Sequence, residues 1–327
     1  MFCMTTMKKD FLYIIIFILL LSCSSNETVN RTAIIMGSTV EIQVRGVNSV
    51  TADKAIHASF QEVKRLDTLF STYMTGNPMW RLNNTDADEI IVNIEMFNML
   101  KRCDEIWKTT GGAFDPAIGN LIEVIGFEKG SPQLPSKSQV DEALKKIGWK
   151  NIQLKDENIL VKPKSIRISF NAIVPGYAAD MVANILSNYG IKEYLINVGG
   201  EVFARGENWK IGIQHPRKQN ELLGAIIVNG MGVSTSGDYE QFFKKEGKRY
   251  SHLLNPLTGY PANECEAVTI IAKEASLADA LSTGVFILGP KKGMELIEKL
   301  NDVEGIIVDT TGTIHQSSGF EKYLVRK

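Results

Sequence analysis

The chain lacks the marks of several common protein classes. Its 36 lysines and arginines stand against 37 aspartates and glutamates, a formal net charge of -1 over 327 residues. With no cationic surplus for a phosphate backbone, a nucleic-acid partner is not expected. Cysteine numbers only four. Cys3 and Cys23 fall in an N-terminal leader, and Cys103 and Cys265 are too few to staple a scaffold. Cys103 lies on the apolar stripe of an expected helix, which suits a buried thiol better than a bridge. No GxGxxG follows a strand and no P-loop occurs, which disfavours nucleotide binding by either route. Internal repeats and low-complexity linkers are missing too. The apolar run Phe11 to Leu21 is too short to span a membrane as a helix.

That run, preceded by Lys8 and Lys9 and followed by Leu20-Leu21-Ser22-Cys23, reads as a lipoprotein signal. Residues 1–22 are expected to be the signal peptide, with Cys23 lipidated and holding an exported protein on a membrane. An uncleaved anchor or a plain secreted protein is the alternative. Residues 23–31 are polar and read as a tether, and 32–327 as the folded domain. About 305 residues after the leader suffice for one large or two intimately packed domains.

Periodicity gives the order of elements. A strand pattern from Ala33 to Val44 is interrupted at Met36-Gly37-Ser38. Helices are expected over 56–70 and 94–110, the latter ending at Gly111-Gly112. A short helix opens on a capping box at Ser138 with Asp141 and runs to Gly148. Residues 151–170 suggest a hairpin plus a strand, followed by a helix from Gly176 to Tyr189. Strands follow at 194–198, 209–214, 223–229 and 267–273, then helices at 276–288 and 291–300 and strands over 305–315. Blocks of helices and strands with hairpins indicate α+β rather than a doubly wound parallel sheet.

The densest group of donors and titratable residues lies in VSTSGDYEQFFKKEGKRYSHLLNPLTGYP, which carries Ser234, Thr235, Ser236, Asp238, Arg249, Ser251 and His252. Such loops usually serve a ligand. His252 can act as a proton acceptor near neutral pH or be a satisfied histidine at a sheet edge. His57, His215 and His315 are weaker candidates. Asp279 and Thr283, four apart on a helix with Ser282 beside them, offer only oxygen ligands, which suit Mg²⁺. Ser276 and Asp279 also form an S-x-x-D capping box that needs no ion. Gly111-Gly112-Ala113-Phe114-Asp115-Pro116, Gly199-Gly200 and Ser236-Gly237-Asp238 could admit a phosphate or ring, or simply cap and turn. Tyr73 could cover a flat ligand or pack in the core.

Taken in order, MGSTVEI, STYMTGNPMWRLN, GGAFDPAIGNLI, NAIVPGYAAD, LINVGGEV, WKIGIQHP, STSGDYEQFF with GKRYSHLLNPLTGYP, and ADALSTGVFILG resemble the ApbE family of FAD:protein FMN transferases, many of them exported lipoproteins. The motifs span about residues 34 to 290. The resemblance implies two packed α+β subdomains, with mixed or antiparallel sheets flanked by helices and FAD in the cleft between them. It implies FAD contacts from Met36, Tyr73, Ala113, Phe114, Asp115 and Leu254. Asp279, Thr283 and the Ala172 carbonyl would hold Mg²⁺, with Ser282 at a neighbouring position that is a ligand in some relatives. His252 matches the family's proposed base, and Asp238 could orient it or the incoming hydroxyl.

The implied reaction moves FMN from FAD to a threonine or serine hydroxyl of an acceptor flavoprotein, releasing AMP. The acceptors would be exported flavin-carrying subunits of redox complexes. Two departures stand out: Ser169 where the family usually has aspartate, and Pro175 where it has lysine or glutamine. They leave two rivals open, a Mg²⁺-dependent FAD pyrophosphatase giving FMN and AMP, and a flavin-binding lipoprotein without catalysis.

Overall fold

The computed structural model describes residues 27–127 and 130–325. The leader, Cys23 and the start of the tether lie outside them. Among the described residues, no helix is long and apolar enough to cross a membrane.

The strands, in chain order, are β1 (Val29–Ile35), β2 (Ser38–Arg45), β3 (Glu89–Ile91), β4 (Gln153–Lys155), β5 (Ile159–Val161), β6 (Glu193–Val198), β7 (Glu201–Arg205), β8 (Lys210–Gln214), β9 (Leu222–Ile227), β10 (Met231–Gly237), β11 (Phe242–Lys245), β12 (Lys248–Ser251), β13 (Cys265–Ala272), β14 (Glu304–Asp309) and β15 (Ile314–Gln316). The helices are α1 (Ser49–Phe70), α2 (Pro78–Asn84), α3 (Ile94–Thr109), α4 (Gly119–Ile125), α5 (Lys137–Leu144), α6 (Val174–Asn188) and α7 (Ala275–Ile297).

Eight strands form the main sheet in the order β1-β2-β6-β7-β10-β13-β14-β15, with every neighbouring pair antiparallel. The α+β expectation holds, in its antiparallel form. Alternation along the strands splits the core in two. On β13, Val268 and Ile270 join the larger core under α1, α6 and α7. Ile271 points the other way, to a core shared with Trp209, Ile213 and Ile226 of the β8–β9 hairpin. Buried on both faces, β13 is apolar along most of its length. A third, small core gathers Leu121 and Ile125 of α4, Ala143 of α5 and Leu254, with Phe127 and Phe243 against it.

Several boundaries differ from the sequence reading. The pattern at 33–44 is two strands joined by a two-residue turn, with positive φ at Met36 (56°) and Gly37 (69°), the geometry that matches hairpin twist. β1 begins at Val29, inside the expected tether, because its backbone pairs with β2 through Val44. The capping box of α5 is Ser136 with Gln139, not Ser138 with Asp141, and the helix ends at Leu144 rather than running to Gly148. Residues 153–161 are the expected hairpin, to which β3 adds a third strand. The strand expected up to 170 is instead irregular, its backbone satisfied by Asn83, Asn120 and Pro116. α6 starts at Val174, with Pro175 in its first turn, where its missing N–H costs nothing. The two expected C-terminal helices are one element broken at Gly289 (φ 78°, ψ 174°) and Pro290.

Cys103 and Cys265 are free and buried, as the apolar stripe suggested for Cys103. Burial raises both thiols, Cys265 to about 12.

Candidate active site

A cavity of about 390 Å³ opens between the small third core and one end of the main sheet. Met36 enters it from the β1–β2 turn, and Tyr73, 65% exposed, from the loop after α1. Asn77 pins that loop by donating to the Thr68 and Ser71 carbonyls while its own carbonyl oxygen caps α2. Ala113, Phe114 and Asp115 form the floor after α3. The Asp115 carboxylate accepts the N–H groups of Ala117 and Trp149, so it shapes the floor rather than standing free. Leu254 belongs to the apolar wall. Ser169 and Pro175, the two departures from the family pattern, both line the same space.

Asp279 sits in the second turn of α7, buried, with Thr283 one turn on, and both line the cavity together with Ala172. The capping-box reading of Asp279 fails. The N-cap of α7 is Glu274, which makes no side-chain cap bond. The Ala275 and Ser276 N–H groups instead donate to Asp180 of α6, a cap supplied by tertiary packing. Asp279 accepts the Gly176 N–H at 3.0 Å from the first turn of α6. Burial drives its pKa up to about 7; the Gly176 N–H opposes that shift, and Glu240 and Asp180 add to it. Glu201, at the start of β7, is pushed the same way by burial and then by Asp279 and Glu240.

Ser282 does not line the cavity. It is fully buried, its hydroxyl 2.8 Å from Ser236 Oγ and 3.3 Å from Ser234 Oγ, where it fastens α7 to β10. Ser236 Oγ also lies 3.3 Å from Thr283 Oγ1, so this hydroxyl row fixes the Thr283 rotamer.

His252 follows β12 and faces the cavity, half-buried. Its Nδ1 lies 3.3 Å from the Gln241 carbonyl, and the Phe127 ring meets its ring edge-on at 6.3 Å. Burial lowers its pKa below the ordinary imidazole value, with the Gln241 carbonyl opposing. A carbonyl only accepts, so Nδ1 carries the proton in the neutral ring and Nε2 is left as the basic nitrogen. Asp238 does not orient His252. Its carboxylate is held by both terminal nitrogens of Arg217, at 2.6 and 2.8 Å, and by Arg249 at 3.1 Å, and it lies outside the cavity wall.

Among the described residues, the cavity is lined by four acidic side chains, Asp115, Glu201, Glu240 and Asp279, and by no lysine or arginine. A pyrophosphate entering that field needs a cation. Asp279, Thr283 and the Ala172 carbonyl fit a hard one, being oxygen donors. No group of three or more His, Cys, Asp or Glu among the described residues could hold an ion by itself, so hydroxyl, carbonyl and substrate oxygens would complete the shell.

Comparison with known proteins agrees with this geometry. A family model described as the ApbE family matches residues 36–324. The chain belongs to the ApbE family. It is 31% identical over 307 residues to the FAD:protein FMN transferase of Haemophilus influenzae, a match covering 88% of this chain and 89% of that protein. It is 33% identical over 256 residues to the Escherichia coli K12 protein of the same name, covering 74% and 72%. The crystal structure of the ApbE protein from Thermotoga maritima superposes with a TM-score of 0.86 at 29% identity, covering 92% of this chain and all of that one. The apo flavinyl transferase ApbE of Pseudomonas stutzeri gives 0.82 at 28%, covering 92% and 98%.

Within this ApbE-family chain, sequence reasoning missed Glu201, Glu240 and Gln241 in the site and Asp180 and Gly176 behind it. Glu201 directly follows the flagged Gly199-Gly200, and Glu240 comes two residues after Asp238, so proximity to a turn was the available signal. Nothing local marks Asp180, whose partner lies 95 residues away.

Proposed function

We propose that this chain transfers FMN from FAD to a threonine or serine hydroxyl of an acceptor flavoprotein, releasing AMP, with Mg²⁺ at the pyrophosphate. Relatives named FAD:protein FMN transferase match it over most of its length, and flavin transferase structures share its fold. The observation that carries the reading is the acid-lined cavity, which among the described residues has no lysine or arginine and holds His252 and the Asp279–Thr283 pair in one wall system.

The acceptor oxygen forms a bond to the FMN-side phosphorus while the bond from that phosphorus to the AMP oxygen breaks. The leaving electron pair departs on the AMP phosphate, and the hydroxyl proton goes to Nε2 of His252. The Gln241 carbonyl fixes the ring tautomer for that transfer, and the lowered pKa keeps the imidazole neutral at pH 7. Asp279, Thr283 and the Ala172 carbonyl would hold Mg²⁺, which when bound would neutralise pyrophosphate charge. Met36 and Tyr73 flank the flavin side, and Phe114 and Leu254 provide its apolar surface. We place the protein outside the cytoplasm, lipid-anchored through Cys23, with exported flavin-carrying subunits of redox complexes as acceptors.

The test is incubation of the chain from residue 24 onward with FAD, Mg²⁺ and an exported acceptor subunit, read by intact mass. A gain of one FMN on a threonine or serine is expected. FMN and AMP released at the same rate without acceptor would instead favour the pyrophosphatase. Tightly held, unreacted FAD would favour the binding protein.

A further inference from the structure

A second cavity, about 380 Å³, lies on the opposite face of the main sheet, between that face and β8. It is a groove whose floor is mixed: the half-buried Leu195, Asn197 and Thr235 line it, with Val202, Val233 and Thr269 buried beneath them. Five consecutive residues, Lys210 to Gln214, line it. Side chains alternate along a strand, so a continuous run lines a groove only when the backbone edge faces it. That edge is unpaired. β8 bonds to β9 on one side, and β9 continues to the C-terminal segment through Ile226 with Leu324 and the Val325 N–H on the Ala225 carbonyl. Among the described residues, no strand pairs with the other side of β8. The His215 N–H is used on the Glu221 carbonyl, so alternation turns the Gly212 and Gln214 N–H groups away from β9.

The groove meets the catalytic cavity at the rim of the sheet. Thr235 and Glu240 line both, and the β6–β7 turn gives Gly199 to one and Gly200 to the other. The C-terminal end of β8 is the end tied to that rim. Arg217, three residues past Gln214, grips Asp238 with both terminal nitrogens and reaches Glu266 through Nε at 2.8 Å. Asp238 in turn donates its N–H to the Glu266 carbonyl, two residues before Glu240. Asp238, which the sequence offered as a partner for His252, therefore anchors the β8 end of the groove.

We propose that the outer edge of β8 receives an extended segment of the acceptor polypeptide as an added strand, and delivers its hydroxyl-bearing residue past Gln214 into the catalytic cavity. This rests on the transfer reading above. Free backbone donors and acceptors supply affinity for any extended chain, while the floor, with Leu195 beside the polar Asn197 and Thr235, meets its alternate side chains. The β8 edge is about 17 Å long, room for a segment of about five residues. The chemistry fits a polypeptide rather than a second small substrate, because the groove offers a row of backbone groups and a single lysine, Lys210.

The experiment uses the unaltered enzyme with Mg²⁺, FAD and a pool of short synthetic peptides, each carrying one threonine and no serine. The best substrate is remade with a single N-methyl group at each backbone amide in turn. The expected result is a period-two pattern: methylation at alternate positions on one side of the threonine raises KM about fivefold, and at the positions between leaves it unchanged. As an independent arm, Leu195→Trp narrows the groove floor, and is expected to raise the peptide KM while FAD affinity and the melting temperature stay as in wild type. Flat N-methyl profiles, together with a Leu195→Trp enzyme that transfers like wild type, overturn the groove and leave the transferase intact. Failure of the wild-type enzyme to flavinylate both the peptides and the acceptor subunit removes the transferase reading, and this proposal with it.

Discussion

Replacing Gly176 by alanine tests whether the contact between α6 and α7 builds the site. A Cβ on Gly176 would stand 2.4 Å from the Ala275 carbonyl oxygen, 2.7 Å from its carbon and 2.8 Å from Asp279 Cβ. Two of these are backbone atoms, so no rotamer change relieves the clash and the helices must part. Forced separation of a packed contact costs about 1–3 kcal/mol. The same movement stretches the bond from the Gly176 N–H to Asp279, and at pH 8, where Asp279 is ionised, a buried hydrogen bond to a charged group is worth about 1.5–3 kcal/mol. Together these give about 2.5–6 kcal/mol, or roughly 4–10 °C in melting temperature at about 2.1 cal/mol/K per residue over about 300 residues. Asp279 moves with the helix, so affinity for Mg²⁺ should fall as well.

The control is Gly224→Ala, where the nearest atom to an added Cβ is Leu324 Cδ2 at 3.9 Å, and no loss of stability is expected. Calorimetric melts and Mg²⁺ titrations of the two variants give the comparison. If Gly176→Ala melts with wild type and binds Mg²⁺ equally well, the close packing of α6 on α7 does not set the Asp279 position and the argument fails.

Other consequences are as direct. Asp279 has a folded pKa of about 7 against about 3.9 in an unfolded chain. Without divalent ions its contribution to stability is therefore fully present below about pH 4 and lost as the pH rises towards 7. Asp279→Asn should flatten that decline in pH-dependent melts, and Mg²⁺ should raise the wild-type melting temperature more at pH 8 than at pH 5. His252, held below its ordinary value, should put the acidic limb of kcat/KM for transfer below about pH 6.5. His252→Ala should lower transfer about 10²- to 10⁴-fold with FAD affinity retained, as measured by flavin fluorescence. Asp238→Asn should lower the melting temperature by loosening Arg217 and Arg249. It should leave the acidic limb where it is, whereas a limb that moved would restore Asp238 as the partner of His252.

The sequence by itself determined what depends on near neighbours. Alternation and helical spacing located most strands and helices, and the α+β class followed from their order. The ordered motifs led to the right family, and Asp279 with Thr283 was legible because one helical turn places them together. What failed did so where two readings share one local pattern. Ser276 and Asp279 satisfy a capping box in sequence, yet Asp180 caps that helix and Asp279 turns to Gly176. Asp238 and His252 share a segment, yet Arg217 claims the carboxylate. Ser282 neighbours Thr283, yet its side of α7 faces β10. The four acids of the cavity come from α7, the start of β7, and loops more than a hundred residues apart. Only the folding of the sheet against α6 and α7 brings them together, because a carboxylate's partners are fixed by what packs against it rather than by what precedes it in the chain.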